Sequence, residues 1–146
     1  MTPDQKFMER ALELAAKANP SPNPKVGCVI VKNNKIIAEA FHQKAGEDHA
    51  EIAAIKNAKE PIEGSSFYIS LEPCFTEGKT PPCVDRLIKE KVKEVFIATK
   101  DPNPATHGKS IKKLEQAGIK TETGILEKQA KELNKHFFKV MQTGLP

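Results

Sequence analysis

Within thirty-five residues the chain places His49-Ala50-Glu51, then Pro73-Cys74, then Pro82-Cys83. Nothing else in it restricts the fold as strongly, because one imidazole and two thiolates that hold a single metal ion must meet at one point. Three such ligands suit a borderline-soft ion such as zinc and fall one short of a closed tetrahedral structural site. The remaining position is left to water, whose pKa zinc lowers toward neutrality. Glu51 stands two residues from His49, too close for a natural fourth ligand and well placed to shuttle the released proton. The pattern points to metal-assisted hydrolysis. Two plainer readings compete with it. One is a closed structural zinc completed by His42 or His107; the other is a metal-free chain with a buried reduced Cys74, an exposed Cys83 and a surface His49.

The surrounding pattern reads as an α/β fold in one domain of 146 residues. Residues 3 to 18 carry Phe7, Met8, Ala11, Leu12, Leu14 and Ala15 at helical spacing, and the Asn19-Pro20-Ser21-Pro22-Asn23-Pro24 run stops that helix. Strand-like runs from Val26 to Val31 and from Lys35 to Phe41 join at Asn33-Asn34, which tolerate the positive φ of a tight antiparallel turn. A helix follows over residues 49 to 59, a strand from Ser66 to Leu71, and a helix from Cys83 to Lys91. Strands from Val95 to Ala98 and from Ile119 to Glu122 bracket a helix from Lys109 to Ala117 that Gly118 stops. Strand, helix and strand in that order join parallel strands. The last helix runs from Leu126 to Met141 with Leu126, Ala130, Leu133, Phe137, Phe138 and Met141 on one side.

On this scaffold the ligands take sensible places. Glu51 falls in the first turn of its helix, so that it and His49 can address one cavity from a rigid base. Pro82 suits a helix entry, and the free amides of the helix start beside Cys83 favour a thiolate over a thiol. Cys74 follows a strand at its carboxyl edge, where open α/β sheets place their ligands.

Composition removes several alternatives. The 23 basic residues are nearly offset by 19 acidic ones, leaving +4, and Lys and Glu interleave along the helical segments without forming a basic stripe. With one tyrosine and no tryptophan, the stacking platforms of a single-strand nucleic-acid binder are missing. A small free substrate is expected, and no nucleic acid. The N-terminus lacks a signal peptide's blocks and the longest apolar runs are strand-sized, so a cytoplasmic protein without a membrane partner is expected. Three cysteines fit a reducing compartment, with two on metal and Cys28 free.

The histidine-x-glutamate and the two cysteines together resemble the zinc-dependent nucleobase deaminases. Simple members separate their cysteines by two residues, whereas eight residues, Phe75 to Pro82, lie between Cys74 and Cys83 here. Leu71-Glu72-Pro73-Cys74 with Gly78-Lys79-Thr80-Pro81-Pro82-Cys83 resembles the deaminase of bacterial riboflavin biosynthesis, diaminohydroxyphosphoribosylaminopyrimidine deaminase. So do Ser21-Pro22-Asn23-Pro24 with Val26-Gly27, Gly46 before His49-Ala50-Glu51, Asp101-Pro102-Asn103-Pro104, Gly108-Lys109, and Leu133-Asn134 with Phe137-Phe138. The resemblance covers nearly the whole chain. It implies a cytidine-deaminase-like three-layer α-β-α sandwich, a mixed five-stranded sheet with helices on both faces, and a homo-oligomer, dimer or tetramer. It also implies one zinc per chain on His49, Cys74 and Cys83, with Glu51 as the catalytic acid-base group. The implied reaction removes an exocyclic amine hydrolytically from a pyrimidine bearing a phosphorylated ribose chain.

Six further residues are expected to meet that phosphorylated aminopyrimidine. Asn23 offers a donor and an acceptor to an amide-like pyrimidine edge, though a Pro-rich loop also uses asparagine for turns. Lys79 and Thr80 offer a cation and a hydroxyl to the phosphoribosyl group, Asp101 and Asn103 suit the sugar hydroxyls, and His42 lies at a strand end. Asp101-Pro102-Asn103-Pro104 is also good turn chemistry.

The chain departs from the family twice. Thr76 stands where the family usually has a histidine, and the sequence stops at Thr143-Gly144-Leu145-Pro146 where many members continue into a reductase domain. A single deaminase domain over residues 1–146, with no reductase domain and no nicotinamide cofactor, is therefore expected. The competing functions are a deaminase of the same fold acting on another free base, nucleotide or tRNA, and a non-catalytic deaminase-like partner subunit.

Overall fold

In a computed structural model of the chain, residues 1–76 and 81–144 are described. In chain order the elements are α1 (Pro3–Ala15), β1 (Gly27–Lys32), β2 (Lys35–Phe41), α2 (Ala50–Asn57), β3 (Ser66–Ile69), α3 (Cys83–Lys89), β4 (Glu94–Ile97), α4 (Lys109–Gln116), β5 (Lys120–Thr123), α5 (Glu127–Leu133) and α6 (Lys135–Thr143). The strands form one sheet in the order β2-β1-β3-β4-β5. β1 runs antiparallel to β2 and β3, while β3 pairs parallel with β4 and β4 with β5, so the expected crossover through α4 is present and a second runs through α3.

Alternation within the central strands decides the layering. Cys28 and Ile30 of β1, Phe67 and Ile69 of β3, and Val95 and Ile97 of β4 pack together with Ala50, Ala54, Val84, Leu87 and Leu114 from α2, α3 and α4. Their neighbours Val29, Val31, Tyr68 and Phe96 form a second cluster with Met8, Ala11 and Leu14 of α1 and Ala130 of α5. A strand apolar on both sides must be covered on both. The result is the expected three-layer α-β-α sandwich. At Gly27 an added Cβ would sit 1.9 Å from the Ala11 carbonyl oxygen, so only glycine lets β1 lie this close to α1.

The hairpin turns at Asn33 and Asn34, whose φ values of 52° and 61° are the left-handed pair that a two-residue connection requires. The helices expected over 49 to 59 and Cys83 to Lys91 each end two residues early, at Asn57 and Lys89, and two others differ more. The first ends at Ala15 rather than 18, because Lys17 N–H bonds the Leu14 carbonyl at 3.1 Å and tightens the last turn. The last is broken at Asn134, which leaves helical geometry at φ −111°. Its side-chain amide accepts from Lys25 N and donates to Lys25 O, both at 2.8 Å, clipping the helix junction to the approach to β1. The apolar side of this segment is also not wholly buried: Ala130 and Phe138 are, whereas Met141 is 36% exposed. Among the described residues, no helix is long and apolar enough to cross a membrane.

Candidate metal centre and active site

His49 is the N-cap of α2, in extended backbone geometry and without a side-chain capping bond, so its ring is free to project from the helix start. Cys83 is the first residue of α3 and Cys74 lies beyond the end of β3. Two main-chain donors lock the cysteine segments together: Val84 N–H to the Cys74 carbonyl at 3.2 Å, and Cys83 N–H to Cys74 Sγ at 3.0 Å. His49 Nδ1 lies 3.2 Å from Cys83 Sγ. The ligand atoms of His49, Cys74 and Cys83 all lie within 4.8 Å of one another, close enough to share one ion bound at about 2.0 to 2.3 Å from each. The donor set fits zinc. Among the described residues no fourth histidine, cysteine or carboxylate joins this group.

The closed-site reading therefore fails on geometry, and the metal-free reading, which has His49 exposed as it expected, fails in where it put the two cysteines. His42 is occupied elsewhere: its Nδ1 is 3.0 Å from the Asp48 carbonyl and so carries the proton, which leaves Nε2 to accept from Asn23 Nδ2 at 3.0 Å. Its ring stands edge-on to that of His49 with centroids 5.3 Å apart. His107 Nδ1 is turned to the Asp101 carbonyl at 2.9 Å. Against the metal-free expectation, Cys83 is buried at 2% exposure and Cys74 is the more open thiol.

The titrating groups fit a cation at this point. The hydrogen bond from Cys83 brings Cys74 down to about 4, and the same bond, with burial, pushes Cys83 up: the two sulfurs share one proton that a metal would displace. The neighbouring Cys74 sulfur raises His49. Glu51 is 3% exposed, and burial followed by the Cys74 charge raises it to about 7, where a carboxyl can both take and return a proton. Cys28 is fully buried, is raised by that burial and stands outside the ligand group.

Of the expected substrate residues, the structure places His42 beside His49, and Asn23 on the far nitrogen of His42. Asp101 and Asn103 both make the turns that their sequence also suited: Asp101 Oδ1 accepts from Asn103 N at 2.9 Å, and Asn103 Oδ1 from Ala105 N at 3.0 Å. Burial raises Asp101 to about 6, with the charges of Glu72 and Cys74 adding to it. Lys79 and Thr80 lie outside the described residues. Asn23 also lines a groove of about 270 Å³ between the Pro-rich loop and α6 that contains none of the three ligands. The sequence reading passed over Glu72, a buried carboxylate bonded to Asp101, Gly108 and Ser110 main-chain N–H groups. Its signals were an acid closing the apolar run before Pro73 and a place in the motif Leu71-Glu72-Pro73-Cys74, to which no role was given.

Two cysteines and a histidine with an open coordination position, beside a buried carboxyl poised near neutrality, define a zinc-dependent hydrolase site on a deaminase-type sandwich. The family model for the cytidine and deoxycytidylate deaminase zinc-binding region matches residues 1–99. The diaminohydroxyphosphoribosylaminopyrimidine deaminase of Buchnera aphidicola from Schizaphis graminum is 48% identical over 98% of this chain and 99% of its own length. The riboflavin biosynthesis protein RibD of Escherichia coli is 46% identical over 98% of this chain but only 40% of its own. Among solved structures, Acinetobacter baumannii RibD superposes with a TM-score of 0.94 at 48% identity, covering 99% of this chain and 41% of that one. The chain thus spans about two-fifths of the RibD proteins it matches. It belongs to the cytidine and deoxycytidylate deaminase zinc-binding family, and within it to the diaminohydroxyphosphoribosylaminopyrimidine deaminases.

Proposed function

We propose that the chain hydrolytically deaminates 2,5-diamino-6-(5-phosphoribosylamino)pyrimidin-4-one, giving the pyrimidinedione and ammonia, a step of riboflavin biosynthesis. The convergence of His49, Cys74 and Cys83 beside buried Glu51 carries the chemistry, and the names of the relatives support the substrate. When bound, zinc supplies a Lewis acid that brings the pKa of a water near neutrality. The chain's own groups do the rest. Glu51 takes a proton from the attacking water and hands it to the ring, then takes the proton of the newly added hydroxyl as the carbonyl forms and passes it to the leaving amine. Asn23, with its Nδ2 given to His42, presents Oδ1 to an N–H of the pyrimidine edge. Asp101 and Asn103 keep one polar atom each for the sugar hydroxyls, and Lys79 and Thr80 meet the phosphate. A cytoplasmic homo-oligomer belongs to the same reading.

Ammonia release from the phosphorylated compound, its dephosphorylated form, cytidine and dCMP tests this reading, and the first should be strongly preferred. Lys79→Ala should weaken use of the phosphorylated compound by about 1.5 to 3 kcal/mol, the range for hydrogen bonds to charged groups, and barely affect the dephosphorylated one. A preference for cytidine or dCMP contradicts the assignment. An equal loss on both pyrimidines removes Lys79 from the phosphate.

A further inference from the structure

Glu72 takes no part in the chemistry above, yet it is only 3% exposed. A carboxylate is tolerated in such a place when hydrogen bonds replace its water. Glu72 Oε1 accepts from Asp101 N at 3.1 Å and from Gly108 N at 2.9 Å, and Oε2 accepts from Ser110 N at 3.1 Å. Gly108 and Ser110 open α4, whose N-cap is a glycine with no side chain to do this work, so the anion caps the positive end of the helix from a distant part of the chain. On its other side Glu72 N–H donates to the Thr99 carbonyl at 3.0 Å, and Cys74 follows two residues later. One residue thus ties together the zinc-ligand segment, the end of β4 through its main chain, and Asp101 and the start of α4 through its side chain.

The loop between those anchors carries Asp101 and Asn103. It is shaped from within by their turns and by His107 Nδ1 on the Asp101 carbonyl, and Glu72 bonds its first residue to the metal segment, with Lys109 over the Phe75 ring a further contact at the start of α4. We propose that Glu72 is a positioning residue for substrate binding, holding residues 101–107 where Asp101 and Asn103 meet the sugar chain. This rests on the substrate reading given above. Glutamine at this position keeps the shape but turns an NH2 toward main-chain donors, so at least one of the three bonds is lost; alanine loses all three. A residue that merely capped α4 would alter stability and leave substrate affinity alone.

The test uses zinc-loaded wild type, Glu72→Gln and Glu72→Ala, followed by amide hydrogen exchange and by steady-state ammonia release from the phosphorylated aminopyrimidine. Exchange at Asp101, Gly108 and Ser110 should accelerate while Phe96 and Ile97 in the sheet keep their protection and zinc stays at one per chain. KM should rise about tenfold or more in Glu72→Ala, and less in Glu72→Gln, while kcat changes by less than about threefold. Adding Asp101→Asn to Glu72→Ala should raise KM little further, because the two changes remove the same contact. If the alanine variant does not fold, the glutamine variant carries the same comparison. Faster exchange with unchanged KM makes Glu72 a helix cap only and overturns the proposal, as does a fall in kcat at constant KM. A wild-type chain that leaves this compound untouched is a different failure, of the substrate reading, visible before any variant is made, and it overturns the proposal with it.

Discussion

Glu51→Gln should retain one zinc per chain and lose at least about a hundredfold in kcat, the usual cost of removing a positioned acid-base group. Glutamine matches glutamate in size, so the packing of the first turn of α2 and the path of His49 should be kept. What disappears is a proton acceptor held at about 7 by burial and by the Cys74 charge, close to the pH at which it must both take and give a proton. KM should change little, since the substrate contacts proposed for Asn23 and for the 101–107 loop do not pass through this side chain. Turnover near that of wild type would mean that another group moves the proton.

Cys83→Ala should abolish both zinc retention and turnover. Cys83 is buried at the first residue of α3, where its sulfur is 3.2 Å from His49 Nδ1, and alanine keeps the helix start and the N–H that bonds Cys74 Sγ. Two ligands would remain, too few to hold the ion against water. Thermal stability gives an independent reading of the same loss. A protein that binds zinc only when folded gains about 2.7 kcal/mol at a free-zinc concentration a hundredfold above its Kd, and the variant should gain almost nothing under the same conditions. Cys28→Ala should not behave this way, because Cys28 stands outside the ligand group.

What the sequence made legible was carried by residue type at short range. The paired asparagines announced the hairpin through their tolerance of positive φ, and the ligand residues announced the metal centre because few other purposes bring a histidine, a glutamate and two cysteines into that order. The three-layer architecture was implied by the family resemblance and agreed with the order of strands and helices. The features it hid depend on partners far along the chain. The break at Asn134 is made by hydrogen bonds to Lys25, 109 positions away, and helical periodicity carries no trace of them. Glu72 stood in the motif Leu71-Glu72-Pro73-Cys74, but its bonding was hidden for a related reason: its partners are main-chain amides, which every residue except proline offers, so no side-chain pattern marks them. The tautomer of His42 likewise follows from the Asp48 carbonyl, a main-chain group. For Asp101 and Asn103 the turn reading was sound, and the binding role attributed to them concerns the polar atoms those turns leave over.

Titrating zinc into metal-free protein while following ammonia release from the phosphorylated aminopyrimidine tests the zinc-dependent mechanism most directly. Activity should be absent at the start, rise in proportion to added zinc and level off at one ion per chain, with Glu51→Gln binding the same one ion and remaining nearly inactive. Full activity in the metal-free protein, or a plateau unrelated to one zinc per chain, would contradict a reaction built on His49, Cys74 and Cys83.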